Sequence, residues 1–291
     1  MYHDTAWNLA PAAPGSTRAD SGLTPFDPGA TSIARVYNAL VDGAANFRAD
    51  RAISRQLLDA QPALPHWVAT TRKCVDRALH AAVQDEPPLV LDMGPGDPQA
   101  FGPVHQAAWR ANPDTEVVLV DIDRTVVAAA RAAAATDPRV SVLRGDLRDA
   151  SRVLAHPSVR GAIKDGRKIA LIMANVLHFV PDNPVDRDAL LGPWLEALPF
   201  GSTLIITHAS DSPLMTADER HALAAYQKEV APLALRSADA GARLLRDWDL
   251  GDTGVKNPGM LGTVPESDPW PDDVYRLPGW AAVARKSRRM V

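Results

Sequence analysis

Two glycines separated by one residue, Gly94 and Gly96, follow an acid, Asp92, at the end of the apolar run 89–93. Such a pair lets the backbone turn tightly and approach a ligand with no Cβ between them. A plain strand-to-helix turn needs the same glycines, so the pair alone is weak evidence. The next apolar run ends in Asp121-Ile122-Asp123. Asp121, about 25 residues beyond Gly96, is placed to accept hydrogen bonds from both hydroxyls of a ribose. Asp123 is equally suited to capping a following helix. Together these features point to a nucleoside-type ligand. A dinucleotide fingerprint wants a third glycine, but Gln99 stands there behind Pro98, and Asp97 inside the turn repels phosphate. The ligand expected is therefore one without phosphates. Asp146, after a third run, is either an adenine acceptor or a turn residue. His178 and His208 follow two further runs and titrate near working pH, so each is a candidate general base or a scaffold histidine bonded to backbone. No pair of His or Cys residues has metal-ligand spacing.

The elements that must position these residues are legible from about residue 89 onward. Short, continuously apolar runs at 89–93, 117–121, 140–143, 169–174 and 203–207 alternate with helical stretches at about 100–111, 123–135, 151–163 and 186–198. Continuous apolar strands mean burial on both faces, as in a parallel sheet covered by helices. The expected fold is α/β, doubly wound and mostly parallel. Residues 213–246 look helical, 280–284 supply a late strand, and 247–279 carry no assignable pattern. Three helices, at about 32–41, 47–60 and 66–84, precede the first strand as a helical cap. The expected organisation is a flexible tail over 1–30, the cap over 31–86, the ligand-binding domain over 87–286 and a basic tail over 287–291.

Composition narrows the function classes. The chain has 291 residues with 31 basic and 35 acidic, a net charge of −4, so neither nucleic acid nor a membrane surface is an expected partner. No apolar run approaches the roughly 18 residues of a membrane span. The first residues lack the basic start and apolar centre of a signal peptide, and Cys74 is the only cysteine, which together predict a cytoplasmic setting.

One set of segments, taken in order, resembles a known family. It comprises Ser32-Ile-Ala-Arg-Val-Tyr-Asn-Ala-Leu, Asn46-Phe-Arg-Ala-Asp-Arg51, Asp92-Met-Gly-Pro-Gly-Asp-Pro and Val104-His105. It continues through Asp121-Ile-Asp123, Gly145-Asp-Leu-Arg-Asp149, Val176-Leu-His178-Phe-Val-Pro-Asp and Thr207-His208-Ala to Leu277-Pro-Gly-Trp280. Over residues 31–286 the chain resembles the actinobacterial S-adenosyl methyltransferases once catalogued only as a domain of unknown function. Pro95 stands where that family more often has Thr or Ser, and Asp42-Gly-Ala-Ala-Asn46 replaces its usual Gly-Gly-Lys-Asp-Asn.

The resemblance implies a Rossmann-like class I fold and S-adenosyl-L-methionine as cofactor, leaving S-adenosyl-L-homocysteine as product. It implies that Gly94 and Gly96 lie against the methionine part, with Asp92 near its ammonium. Asp121 would hold the ribose with Ile122 beside it, and Asp146 and Leu147 the adenine. Ala174 and Asn175 would flank the sulfonium. Tyr37, Asn46 and Arg51 would close over the cofactor from the cap, Arg51 pairing with its carboxylate. His178 and His208 are the expected catalytic pair. The acceptor expected is a small molecule, with specialised metabolism as its expected setting, and pairing of two copies through the cap is a further expectation. Two other readings stay open: a protein that binds the cofactor without transferring methyl, as a regulator or a rearrangement enzyme, and a nicotinamide oxidoreductase.

Overall fold

A computed structural model describes residues 27–84, 88–135, 137–181, 187–213, 215–252, 254–258 and 279–287. Its centre is a six-stranded sheet: β1 (Leu89–Met93), β2 (Glu116–Asp121), β3 (Val140–Arg144), β4 (Ile169–Ala174), β5 (Thr203–Ala209) and β6 (Gly279–Arg285). The strand order is β3-β2-β1-β4-β5-β6, parallel except for β6, which runs antiparallel to β5. The chain leaves β1 toward β2 on one side and returns to β4 on the other. Strand order therefore reverses between β1 and β4, and a crevice opens beyond their carboxyl ends.

The alternation of side chains along each strand divides the interior into two layers. Leu89, Leu91 and Met93 of β1 join Leu204 and Ile206 of β5 on one face. The helices α7 (Ala150–Leu154), α8 (Pro157–Lys164), α9 (Arg187–Ala197) and α11 (Ala238–Leu244) supply residues to that layer. Val90, Leu119, Ile172 and Ile205 face the opposite way. They meet α3 (Leu64–Val83), α5 (Val104–Ala111) and α6 (Arg124–Ala134). Leu89, Leu91, Leu171 and Ile172 are almost wholly buried, each a contribution of roughly 1.5–3 kcal/mol. The third helix of the expected cap, α3, thus lies within the sheet's own cover. Only α1 (Ile33–Leu40) and α2 (Arg48–Ala60) stand apart from it, packed on α10 (Ala217–Glu229) through Val36, Ile53 and Tyr226.

Three expected helices are broken, each by identifiable backbone chemistry. The stretch 100–111 divides into α4 (Pro98–Phe101) and α5 at Gly102, whose φ is +74°, followed by Pro103. The stretch 151–163 breaks where Pro157, which has no N–H to donate, starts α8. Residues 213–246 hold α10 and α11, separated by an irregular segment containing Pro232. The late strand is present as β6, and of 247–279 only isolated bridges at Asp249 and Lys256 are described. Residues 1–26 of the expected tail, 288–291 of the basic end, and Leu277 and Pro278 lie outside the described residues. Among those described, no helix is long and apolar enough to cross a membrane.

Candidate active site

A cavity of about 930 Å³ occupies the carboxyl edge of the sheet at the reversal point, with α1 as its roof. The turn after β1 forms part of the floor. Gly94 (φ +84°) and Gly96 (φ +66°) adopt left-handed conformations that disfavour any side chain, and a Cβ on Gly94 would lie 2.4 Å from Val176 Cγ1. Gly94 is thereby pressed against the turn after β4, its N–H donating to Val120 O at 2.7 Å. Asn175 ends β4 with φ +53°, a conformation Asn tolerates better than most residues. Its side chain is fully engaged: Nδ2 donates to Tyr37 OH (2.9 Å) and Thr71 Oγ1 (3.0 Å), while Oδ1 accepts from Thr207 Oγ1 (2.9 Å).

The site is rich in carboxylates whose environments differ. Asp121 accepts from the Asp123 N–H at 2.8 Å, yet burial pushes its carboxyl up to about 6. Burial pushes Asp92 further, to about 7; Arg72 opposes that rise while Asp121 and Asp76 add to it. Asp146 accepts from Arg148 through both the backbone N–H and the guanidinium. Arg72, in the cavity wall, lies 3.0 Å from Asp76 through its Nε.

Ten of the residues singled out from sequence line this cavity: Tyr37, Asp92, Gly94, Gly96, Asp121, Ile122, Asp146, Leu147, Ala174 and Asn175. Four do not. Asn46 is turned away into the cap, donating to Asn38 Oδ1 and Gly43 O, and Arg51 in turn donates to Asn46. Arg51 does not line the cavity; Arg72 does, and its charge acts on Asp92.

His178 and His208 need the larger correction. The alternation of β5 sends Ile205 and Thr207 to the cavity's face and His208 to the opposite one, where it stacks on Trp280 at 4.7 Å with 5° between ring planes. His208 Nδ1 meets the Ala209 carbonyl, which can only accept, so Nδ1 carries the hydrogen; Nε2 then accepts from Arg236 Nη1 at 3.1 Å. His178 is buried edge-on to it, accepting from the Ala209 N–H through Nδ1 at 3.3 Å. Burial, with His208 and Arg236 alongside, holds His178 well below the usual imidazole range. Both are scaffold residues. Arg72, Asn38 and Phe179 line the cavity although sequence reading did not select them, and Asp97, read there only as a group that repels phosphate, lines it too. Asn38 directly follows Tyr37 on the same helix, and that adjacency was its only signal.

The model of a family described as S-adenosyl methyltransferase matches residues 21–287, nearly the whole chain. The chain belongs to the S-adenosyl methyltransferase family. Among solved structures, this methyltransferase is similar to a candidate methyltransferase from Thermobifida fusca YX, with 30% identity and a TM-score of 0.77. That match covers 89% of this chain and 96% of the other. It shares its fold with a DUF574 family protein from Streptomyces avermitilis MA-4680, with 24% identity, a TM-score of 0.73, and coverage of 87% and 96%. No curated protein matches the methyltransferase. Its architecture is the Rossmann-like class I one, and its family activity is S-adenosylmethionine-dependent methyl transfer.

Proposed function

We propose that the cavity holds S-adenosylmethionine and that the enzyme passes its methyl group to a small, largely apolar acceptor. The observation that carries this reading is Asp121, a carboxylate at the edge of β2 that faces the same cavity as the Gly94–Gly96 turn. The glycine turn, which presents no side chain at Gly94 or Gly96 where it lines the cavity, suits close approach of the amino-acid end. Arg72 takes the carboxylate partnership first sought in Arg51, and Asp92 lies toward the ammonium. Asp121 holds the ribose, Ile122 covers the base, and Asp146 with Leu147 meets its edge. Ala174 and Asn175 flank the sulfonium.

The bound cofactor supplies an electrophilic methyl group on a positively charged sulfur. The chain aligns the acceptor with it and keeps water out, worth several kcal/mol of barrier. Ile33, Phe179, Val180 and Val230 give the remaining cavity an apolar wall beside Tyr37. Neither His178 nor His208 lines it. We therefore favour an acceptor that needs little help in losing a proton, a carbon or amine nucleophile. The same observation supports the alternative of a cofactor-binding protein that transfers nothing. A cytoplasmic setting and a place in specialised metabolism complete the proposal; the single, buried Cys74 is in keeping with the first.

Incubation with methyl-radiolabelled S-adenosylmethionine and fractionated cell extract tests the reading. Label should pass to a small, organic-extractable product. Cofactor binding on the order of micromolar without transfer to any fraction would favour the alternative, and absence of binding would sink both.

A further inference from the structure

The roof of the cavity, α1, is tied to three strand ends at once. Ser32 Oγ donates to Asp123 Oδ2 at 2.7 Å, just after β2. The Tyr37 hydroxyl accepts from Asn175, just after β4. Asn38 Nδ2 donates to Asp97 Oδ2 at 2.7 Å, in the glycine turn after β1. The two aspartates are used alike. Asp97 Oδ1 caps α4 by accepting from the Gln99 N–H, and Asp123 Oδ1 caps α6 by accepting from the Thr125 N–H. In each, the other oxygen holds α1.

The segment Asn46-Phe-Arg-Ala-Asp-Arg51 anchors that helix. Asp50, wholly buried, accepts from the Ser32 N–H (3.1 Å), Arg35 Nε (2.8 Å) and the Phe47 N–H (2.9 Å). Asn46 Nδ2 donates to Asn38 Oδ1 at 2.8 Å, and Arg51 Nη1 donates to Asn46 Oδ1 at 2.9 Å. A continuous relay thus runs from Arg51 through Asn46 and Asn38 to Asp97. Gly43 is part of it, for a Cβ there would lie 2.4 Å from Asn38 Nδ2.

We propose that α1 is a strap gating cofactor exchange, with Ser32 and Asn38 as its latches on Asp123 and Asp97 and the Asn46–Arg51 segment seating Asn38. The proposal rests on the reading of the cavity as the S-adenosylmethionine site. Ser32 and Asn38 are positioning residues. They hold the roof across the crevice, and parting of the latches widens the way in and out for a ligand of cofactor size.

A gate has a kinetic signature that a damaged site lacks. Weakening a latch present in both the empty and the filled protein raises the open fraction of each, so association and dissociation speed up together. Rates for S-adenosylhomocysteine on the full chain should therefore rise about 10-fold in both directions in Asn38→Ala and in Ser32→Ala, as expected for loss of a hydrogen bond to a carboxylate. The equilibrium Kd should change less than either rate, because the latch is made in the empty and the filled protein alike. Asn46→Ala should move both rates the same way by less, and Ser32→Thr, which keeps the hydroxyl, should restore parental rates. Faster dissociation with unchanged association would overturn the gate, as would parental rates in both alanine variants. A parent chain that does not bind S-adenosylhomocysteine would instead sink the cofactor reading itself. A circular-dichroism melt of each variant separates misfolding from a latch effect, and Ser32→Ala at a half-buried position stands independently of Asn38→Ala.

Discussion

Asp121 and Asp92 sit in one cavity and carry opposite consequences. Asp121→Asn keeps the shape of the edge of β2 but removes the charge and one acceptor. With roughly 1.5–3 kcal/mol for a hydrogen bond to a charged group, affinity for S-adenosylhomocysteine should fall about 10- to 150-fold by calorimetry. Because its carboxyl is pushed up to about 6, the parent's affinity should also weaken as pH falls through that value. Asp92, pushed up to about 7 by burial, binds its proton more tightly in the folded chain than in the unfolded one. Such a group lowers stability as pH rises through the window from about 4 to 7. Asp92→Asn should consequently raise thermal stability at pH 8, on the order of 1–3 kcal/mol, with the gain shrinking as pH falls toward 4. A loss of stability at pH 8 would refute this. The strand ends were legible as a set: a glycine or acid there also serves a turn or a cap, and only their recurrence at successive strand ends points to a ligand. The histidines were not: for His208 one residue of register on β5 separates Thr207, bonded to Asn175 beside the cavity, from His208 beneath Trp280, and His178 lies in the tight turn 177–179, where no strand parity tells its side.

At the scale of elements, the segment between α10 and α11 bears on the cavity directly through Val230 and indirectly through Arg236. Arg236 donates to Leu177 O (2.9 Å) and Val180 O (2.8 Å), fixing the turn that carries Phe179 and Val180 into the wall. Its own carbonyl accepts from Trp280 Nε1 at 3.0 Å, which joins the turn after β4 to β6. Arg236→Ala leaves two carbonyls and His208 without this donor, and should lower unfolding free energy by about 2–4 kcal/mol in urea titration. His178 adds a pH term of its own. Its folded-state affinity for a proton is depressed, so the stability it contributes is present above about 6.5 and is lost as pH falls below that value. In Asp92→Asn, where one carboxylate term is removed, the melting temperature should fall more steeply below pH 6.5 than in the parent. The five parallel strands were legible from their unbroken apolar runs. Most helix spans were legible too, but three were not, since Gly102-Pro103, Pro157 and Pro232 interrupt stretches whose apolar spacing continues across the break.

For the molecule as a whole, the sheet reversal between β1 and β4 explains why distant segments meet. Asp92 and Asp121 lie at the carboxyl ends of β1 and β2, Asp146 and Asn175 just after β3 and β4, and only a parallel order gathers these four strand ends on one side. That gathering was readable from strand–helix alternation alone. The part played by the first two helices was not, because the Asn46–Arg51 segment acts on Asn38, within the protein, rather than toward the ligand. The claim that joins these scales is that the cavity under α1 receives the cofactor's nucleoside. A crystal structure of the full chain with S-adenosylhomocysteine tests it most directly. The ribose hydroxyls should lie within hydrogen-bond distance of Asp121, the adenine between Ile122 and Asp146, and the amino-acid end against Gly94, Gly96 and Arg72. A nucleoside bound elsewhere, or bound here with its ribose turned away from Asp121, would contradict the assignment.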